Sequence, residues 1–330
     1  MNPPAPRVVL TSPLAADVRT WLPPSLAEVV PLEPGVPLVQ ALASADGLIC
    51  LLSEPIDASL LARAPRLRVI GNHAVGFDNI DIAEATRRGV VVCNTPDVLT
   101  DATADLTLAL LLAAARRLPE AEQLVRTGGW TGWSPTQLLG ADLAGRTLGL
   151  VGFGRIARAV ARRALGFGLH IIYYSRTRAS AEVEAALGAT WTPMNELVMK
   201  SDFVSLHCPL TAATRGIVSA ARLALMKPEA FLVNTARGAC VDEDALAAAL
   251  EAGHLGGAAL DVYSEEPRVP ERLRHAPRTL LLPHIGSATR GARARMAELC
   301  ARGVAAVLRG ERPPNVVNPE VFAPGGARAS

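Results

Sequence analysis

Arg237, Glu266 and His284 are the side chains of this chain with the most chemistry to offer, and all three lie downstream of a glycine turn, Gly152-Phe153-Gly154-Arg155-Ile156-Ala157. Arg237 follows an apolar run that reads as a buried strand, at the edge where open α/β sheets bind ligands, and its planar fork can grip a carboxylate or a carbonyl oxygen. His284 ends another such run, and imidazole passes protons near neutral pH. The carboxylate of Glu266 would stabilise the imidazolium, raise the imidazole pKa above its ~6.5 reference and fix the ring's orientation. Together these residues read as proton-transfer machinery beside a nicotinamide site.

The glycine turn follows the apolar run Thr147 to Val151. Gly152 lets the chain leave the strand sharply, and Gly154 lets backbone approach a pyrophosphate. The next residues, Arg155 and Ile156, open a helix to about Leu165 whose first N–H groups face that anion. Ala157 stands where the fingerprint allows Gly or Ala. The next strand, Leu169 to Tyr174, ends in Ser175-Arg176-Thr177-Arg178, near the ~20-residue offset at which NAD sites place an acidic residue for the ribose 2′-OH. Ser175 stands there instead, flanked by Arg176 and Arg178, so nothing repels a 2′-phosphate and donors are present. This predicts NADP(H) over NAD(H).

These residues need a scaffold of two units, and 330 residues suit two domains. Short β-branched runs alternate with Ala- and Leu-rich stretches, the grammar of parallel sheets with crossover helices. A first sheet is expected from Arg7 to Leu10, Gly47 to Leu52, Leu67 to Gly71 and Val90 to Cys93. A long helix, about Thr100 to Arg126, then carries the chain to a second sheet. Its strands are Thr147 to Val151, Leu169 to Tyr174, Phe203 to Leu206, Ala230 to Val233, Gly257 to Leu260 and Thr279 to Leu282. A last helix, Ala288 to Arg309, returns to the first domain, and the tail after Pro313 is expected to fray.

Composition excludes other classes. The formal charge is +2 with no basic block, which gives no case for a nucleic-acid partner. The longest apolar stretch, Leu106 to Ala115, is too short to span a bilayer, and the N-terminus lacks the regions of a signal peptide, so a cytoplasmic protein is expected. Five scattered cysteines read as reduced, packed thiols, and no metal-ligand spacing is present.

Five segments in order carry a resemblance. They are His73-Ala74-Val75-Gly76-Phe77-Asp78-Asn79-Ile80-Asp81, the turn at Gly152, Val233-Asn234-Thr235-Ala236-Arg237-Gly238, Asp261-Val262-Tyr263-Ser264-Glu265-Glu266-Pro267 and Pro283-His284-Ile285-Gly286-Ser287. From about Arg7 to Phe322 the chain resembles the D-isomer-specific 2-hydroxyacid dehydrogenases, and within them the glyoxylate and hydroxypyruvate reductase branch. The resemblance implies two Rossmann-like α/β domains: a flavodoxin-like substrate domain (1–98 and 287–330) and a dinucleotide-binding domain (99–286). It makes His284 the general acid of keto-group reduction and assigns its partner to the Glu before Pro, hence Glu266 rather than Glu265.

By the same resemblance the Ala74-Val75-Gly76 turn offers N–H groups to a substrate carboxylate, with Leu52 on the pocket wall. Thr103 and Asp261 face the nicotinamide carboxamide, Thr235 touches the cofactor backbone, Cys208 and Pro209 line the adenine edge, and Thr214 lies near the phosphates. Trp130 and Trp133 read as core or interface aromatics, and the stripe Leu106, Ala109, Leu110, Ala113 could bury against a twofold mate in a homodimer. The implied activity is NADPH-dependent reduction of a small 2-oxo acid. The phosphite dehydrogenase branch carries a lysine where this chain has Val75, formate dehydrogenases replace the glutamate by glutamine, and the chain stops short of the regulatory domain of phosphoglycerate dehydrogenases. A 2-ketogluconate reductase and a dinucleotide-sensing corepressor-like scaffold share the motifs.

Overall fold

The computed structural model describes residues 4–323, which form two compact units: one from the N-terminus to Leu99 together with the segment from Ser287 onward, the other Thr100–Gly286. In the first unit β1 (Arg7–Leu10), β2 (Glu28–Pro31), β3 (Gly47–Cys50), β4 (Val69–Asn72) and β5 (Val91–Cys93) form a parallel sheet of order β2-β1-β3-β4-β5. That is the flavodoxin-like order. Its strands are short, and β3, β4 and β5 are buried along their whole length, as sheets covered on both faces require. The helix Arg290–Leu308 covers one face, with Cys300, Ala301, Val304 and Val307 packed in a core with Val8, Ile49, Val69 and Val91.

The second unit holds β6 (Thr147–Val151), β7 (His170–Tyr174), β8 (Ala189–Trp191), β9 (Phe203–Leu206), β10 (Phe231–Asn234), β11 (Gly257–Leu260) and β12 (Thr279–Leu281). All pair in parallel in the order β12-β11-β10-β9-β6-β7-β8. The order reverses between β6 and β9, the switch point beside which such sheets bind ligands at the C-terminal strand ends. Helices Thr100–Ala115 and Arg155–Leu165 cover one face, where Leu110, Leu111, Val160 and Ala164 meet Leu148, Leu150 and Tyr173. Among the described residues no helix is long and apolar enough to cross a membrane.

Several expectations are corrected. β2 and β8 are edge strands that the strand reading passed over. The long helix is two helices, Thr100–Ala115 and Leu118–Arg126, because Pro119 enters the first turn of the second and Arg117 turns the chain at φ 54°. Leu110 is buried in the core of its own unit, so the proposed stripe is not one open face. Trp130 and Trp133 are 53% and 82% exposed, which removes the core reading. The tail does not fray as far as Ala323: Asn318 is fully buried, accepts the Val92 N–H at 2.8 Å and donates to the Val90 carbonyl at 2.9 Å. The rest of that tail lies outside the described residues.

Candidate active site

The glycine turn leaves β6 as its sequence requires. Gly152 has φ 93°, and a Cβ there would stand 2.8 Å from the backbone of His207 and Cys208. Gly154 caps the Arg155–Leu165 helix without a side-chain cap, and a Cβ on it would meet nothing within 4 Å. An exposed helix start with open space over its glycine, at the end of a central strand, fits the pyrophosphate of a nicotinamide dinucleotide.

The His284–Glu266 pair is built beyond the ends of β11 and β12. His284 Nδ1 lies 2.7 Å from Glu266 Oε2, and Glu266 Oε1 accepts the Tyr263 N–H at 3.0 Å. Glu265 instead pairs with Arg268. Burial alone would raise the Glu266 carboxyl, but hydrogen bonds from His284 and Tyr263, with the fields of His284 and Arg237, hold it below the ordinary carboxylate value. An ionised Glu266 on Nδ1 keeps a proton there, and Nε2 has no partner among the described residues. That nitrogen is the one available to a ligand.

His284 takes φ 55°, a left-handed conformation uncommon for a side-chain-bearing residue, so its neighbours must hold it. They do so from both sides. The buried Asp261 accepts the Ile285 and Gly286 N–H groups on its two carboxylate oxygens, each at 2.7 Å. Thr103 donates to the Gly286 carbonyl at 3.2 Å, and the Tyr263 hydroxyl donates to the Leu282 carbonyl at 3.0 Å. Asp261 and Thr103, expected beside the nicotinamide carboxamide, clamp the histidine loop.

Arg237 emerges after β10 on a turn shaped by the buried Asn234, whose Oδ1 accepts the Ala236 N–H at 3.0 Å while Nδ2 donates to the Arg237 carbonyl at 2.9 Å. Gly238 follows because nothing larger fits: a Cβ would lie 1.9 Å from the Tyr263 carbonyl carbon. Thr235 meets Thr107, hydroxyl to hydroxyl, at 2.9 Å. The sequence reading missed Asn234 and Tyr263 as positioning residues. Their only signal is to fall inside the segments that carry Arg237 and Glu266.

The remaining cofactor candidates are placed less evenly. Ser175 donates its hydroxyl to the Thr177 carbonyl at 2.7 Å, which leaves it an acceptor rather than a phosphate donor. Arg178 forms a two-pronged pair with Glu184, at 2.9 and 2.8 Å. Arg176 is exposed and has no partner among the described residues. Thr214 is tied within its own loop, donating to the Pro209 carbonyl at 2.6 Å. Cys208 is buried 3.9 Å from Cys240, while Pro209 is exposed. Leu52, Val75 and Gly76 lie half-buried in the first unit, at the C-terminal edge of its sheet.

Comparison with known proteins gives the family of the chain. Residues 108–286 match the family described as D-isomer specific 2-hydroxyacid dehydrogenase, NAD binding domain. The glyoxylate reductase of Thermococcus onnurineus is 54% identical over 289 residues, covering 86% of each chain. Among solved structures, the NADPH-dependent glyoxylate/hydroxypyruvate reductase of Sinorhizobium meliloti, in complex with NADP and malonate, superposes with a TM-score of 0.85 at 35% identity. The match covers 94% of this chain and 96% of that one. The D-lactate dehydrogenase of Aquifex aeolicus, complexed with NAD and lactic acid, matches with a TM-score of 0.85 at 27% identity, covering 94% and 99%.

Proposed function

Because the chain belongs to the D-isomer specific 2-hydroxyacid dehydrogenases, we propose that it reduces small 2-oxo acids, glyoxylate and hydroxypyruvate first, to D-2-hydroxy acids with NADPH. The observation that carries this reading is the 2.7 Å His284–Glu266 contact, which leaves Nε2 open. The dinucleotide, when bound, supplies a hydride to the keto carbon. Protonated His284 gives its Nε2 proton to the keto oxygen, and Glu266 stabilises the imidazolium before transfer. Arg237 polarises the same carbonyl with its guanidinium. In the reverse direction neutral His284 takes the hydroxyl proton.

The first turn of the Arg155–Leu165 helix and Gly154 hold the pyrophosphate, and Arg176 supplies the charge that favours a 2′-phosphate. The exposed Leu118, Val125, Trp130, Trp133 and Leu139 fall within one stretch of 22 residues and suit the apolar surface of a homodimer. Five buried cysteines, none of them in a disulfide, fit a reducing, cytoplasmic setting.

A steady-state panel of glyoxylate, hydroxypyruvate, pyruvate, 2-ketogluconate and phenylpyruvate, each with NADPH and NADH, tests the reading. The two small acids with NADPH should give the highest kcat/KM. Absence of turnover with every pair would favour a dinucleotide-sensing scaffold instead. Arg237→Ala should raise KM and lower kcat together, because its fork touches a group present in both ground and transition states.

A further inference from the structure

Six buried side-chain polar atoms among the described residues lack a hydrogen-bond partner, and three of them belong to His73 (Nδ1), Thr95 (Oγ1) and Arg293 (Nε). These three residues surround one turn. His73 begins it, and the Thr95 N–H donates to the Ala74 carbonyl at 2.9 Å. Arg293, on the helix Arg290–Leu308, lies near enough for its charge to act on His73. That helix runs antiparallel to β4, since Arg68 donates to the Val307 carbonyl at 3.4 Å while Cys300 Sγ lies 2.6 Å from where a Gly71 Cβ would stand. Arg293 lies two turns before Cys300 on the same helix face, about 10.5 Å along the axis, and about three strand residues beyond Gly71 lead to Ala74.

The turn itself is arranged to receive an anion. The Asn94 side-chain amide donates to the Val75 carbonyl at 2.7 Å, and that of Asn72 donates to the Gly76 carbonyl at 2.8 Å. With their carbonyls held, Val75 and Gly76 keep N–H groups that have no acceptor among the described residues. Two successive free N–H groups form an anion-binding concavity. Beside them Arg293 is half-buried, and no carboxylate or carbonyl answers its charge among the described residues. His73 is 4% exposed, and burial, with the Arg293 charge added, holds its pKa down to about 4, so it stays neutral and does not repel the guanidinium. A half-buried, uncompensated cation is costly to a fold and asks for a ligand.

We propose that Arg293 is a second cationic contact for the carboxylate of the oxo acid, acting with the Val75 and Gly76 N–H groups through its terminal nitrogens. The inference rests on the oxo-acid reading above and adds to it a specificity residue in the first unit. It makes the first unit selective for substrates that present a carboxylate to the turn, because the turn N–H groups and the guanidinium all address an anion.

The test uses Arg293→Met and Arg293→Lys, each read four ways: KM and kcat for glyoxylate, affinity of the enzyme–NADPH complex for oxalate, affinity for NADPH, and thermal midpoint. Losing one charge-assisted hydrogen bond worth ~1.5–3 kcal/mol should raise KM and the oxalate dissociation constant about ten- to 150-fold in the methionine variant. NADPH affinity and kcat at saturation should stay within about threefold, and lysine should recover part of the loss. Wild-type KM and oxalate affinity in Arg293→Met would overturn the proposal. So would equal falls in kcat and thermal midpoint with no rescue by lysine, which would mark a structural role. If the wild-type enzyme fails to reduce glyoxylate yet binds oxalate in an Arg293-dependent way, the proposed reaction falls and this site stands.

Discussion

Two corners of the same seven-stranded sheet treat their polar side chains in opposite ways. At the ends of β11 and β12 both oxygens of Asp261 and both of Glu266 have named partners, and a non-glycine residue is held at φ 55° between them. At the end of β7 the charge expected to choose the cofactor is divided: Arg178 is committed to Glu184, Ser175 donates its hydroxyl to the Thr177 carbonyl, and Arg176 has no partner among the described residues. The difference fits what each corner is proposed to do. Proton transfer depends on direction, and the proposed acid His284 has its ring held by Glu266 without any ligand. On the proposed reading, telling NADPH from NADH needs only a positive charge within reach of the 2′-position, and the exposed guanidinium of Arg176 would supply it.

The sharpest way to break this contrast is to remove the acid. His284→Ala should lower kcat ~10²- to 10⁴-fold, the usual worth of a positioned general acid, with NADPH affinity unchanged in a fluorescence titration. Glu266→Gln should fall in the same range, since glutamine cannot stabilise the imidazolium. Near-wild-type turnover in His284→Ala would mean that another group delivers the proton.

Arg176→Ala attacks the other corner. Loss of a charged hydrogen-bond donor should raise KM for NADPH about ten- to 150-fold while KM for NADH barely moves. Ser175→Asp should shift preference further, because it adds repulsion to the 2′-phosphate as well as an acceptor for a ribose hydroxyl. An Arg176→Ala enzyme with unchanged NADPH kinetics would show that this side chain stays in solvent.

Asp261→Asn returns to the histidine loop with a gentler change. The amide can accept only one of the two N–H groups that the carboxylate now holds, and stranding the other costs about 1–3 kcal/mol. If that cost falls on the orientation of His284, kcat drops about five- to 150-fold while NADPH affinity changes little. A variant that lost NADPH binding and kept kcat would place Asp261 on the cofactor and leave the loop to its other contacts.

What could be read from the chain in advance follows the same division. Strand-end residues announced themselves because an apolar run followed by Arg, or by Pro-His, is unusual in both period and type. The glycine turn did so because only glycine fits beside the His207 backbone. The supporting roles were not legible: Asn234 shapes its own turn with no signal beyond the segment it sits in, while Tyr263 and Asp261, the latter expected only at the cofactor, act on a loop about twenty residues away that they meet only when β11 and β12 lie side by side. Glu28–Pro31 and Ala189–Trp191 were missed as strands because four- and three-residue edge segments are too short to show a period. Pro119 was a legible break in the long helix, outweighed by the alanine and leucine around it. The tail after Pro313 reads as loose by composition, yet Asn315 and Asn318 reach back to residues 94 and 90 over more than two hundred positions.

The smallest expected effect decides whether the Ser175–Arg178 loop works with one arginine or two. Arg178 reaches Glu184 through two nitrogens, and the same carboxylate accepts the Tyr173 hydroxyl at 2.7 Å. These contacts, the Arg178 pair first, pull the Glu184 carboxyl down to about 2, so it stays ionised throughout the working pH range and keeps the guanidinium occupied. The pair is largely exposed on the Arg178 side, so its contribution to stability is small. Arg178→Ala should therefore change KM for NADPH by less than about threefold, well below Arg176→Ala. Glu184→Gln removes the competing charge and should release Arg178 toward a 2′-phosphate, tightening NADPH by a few-fold without touching NADH. If Arg178→Ala instead matched Arg176→Ala, the Glu184 pair must open when the cofactor binds, and this corner would be reorganised by its ligand while the His284 corner is set beforehand.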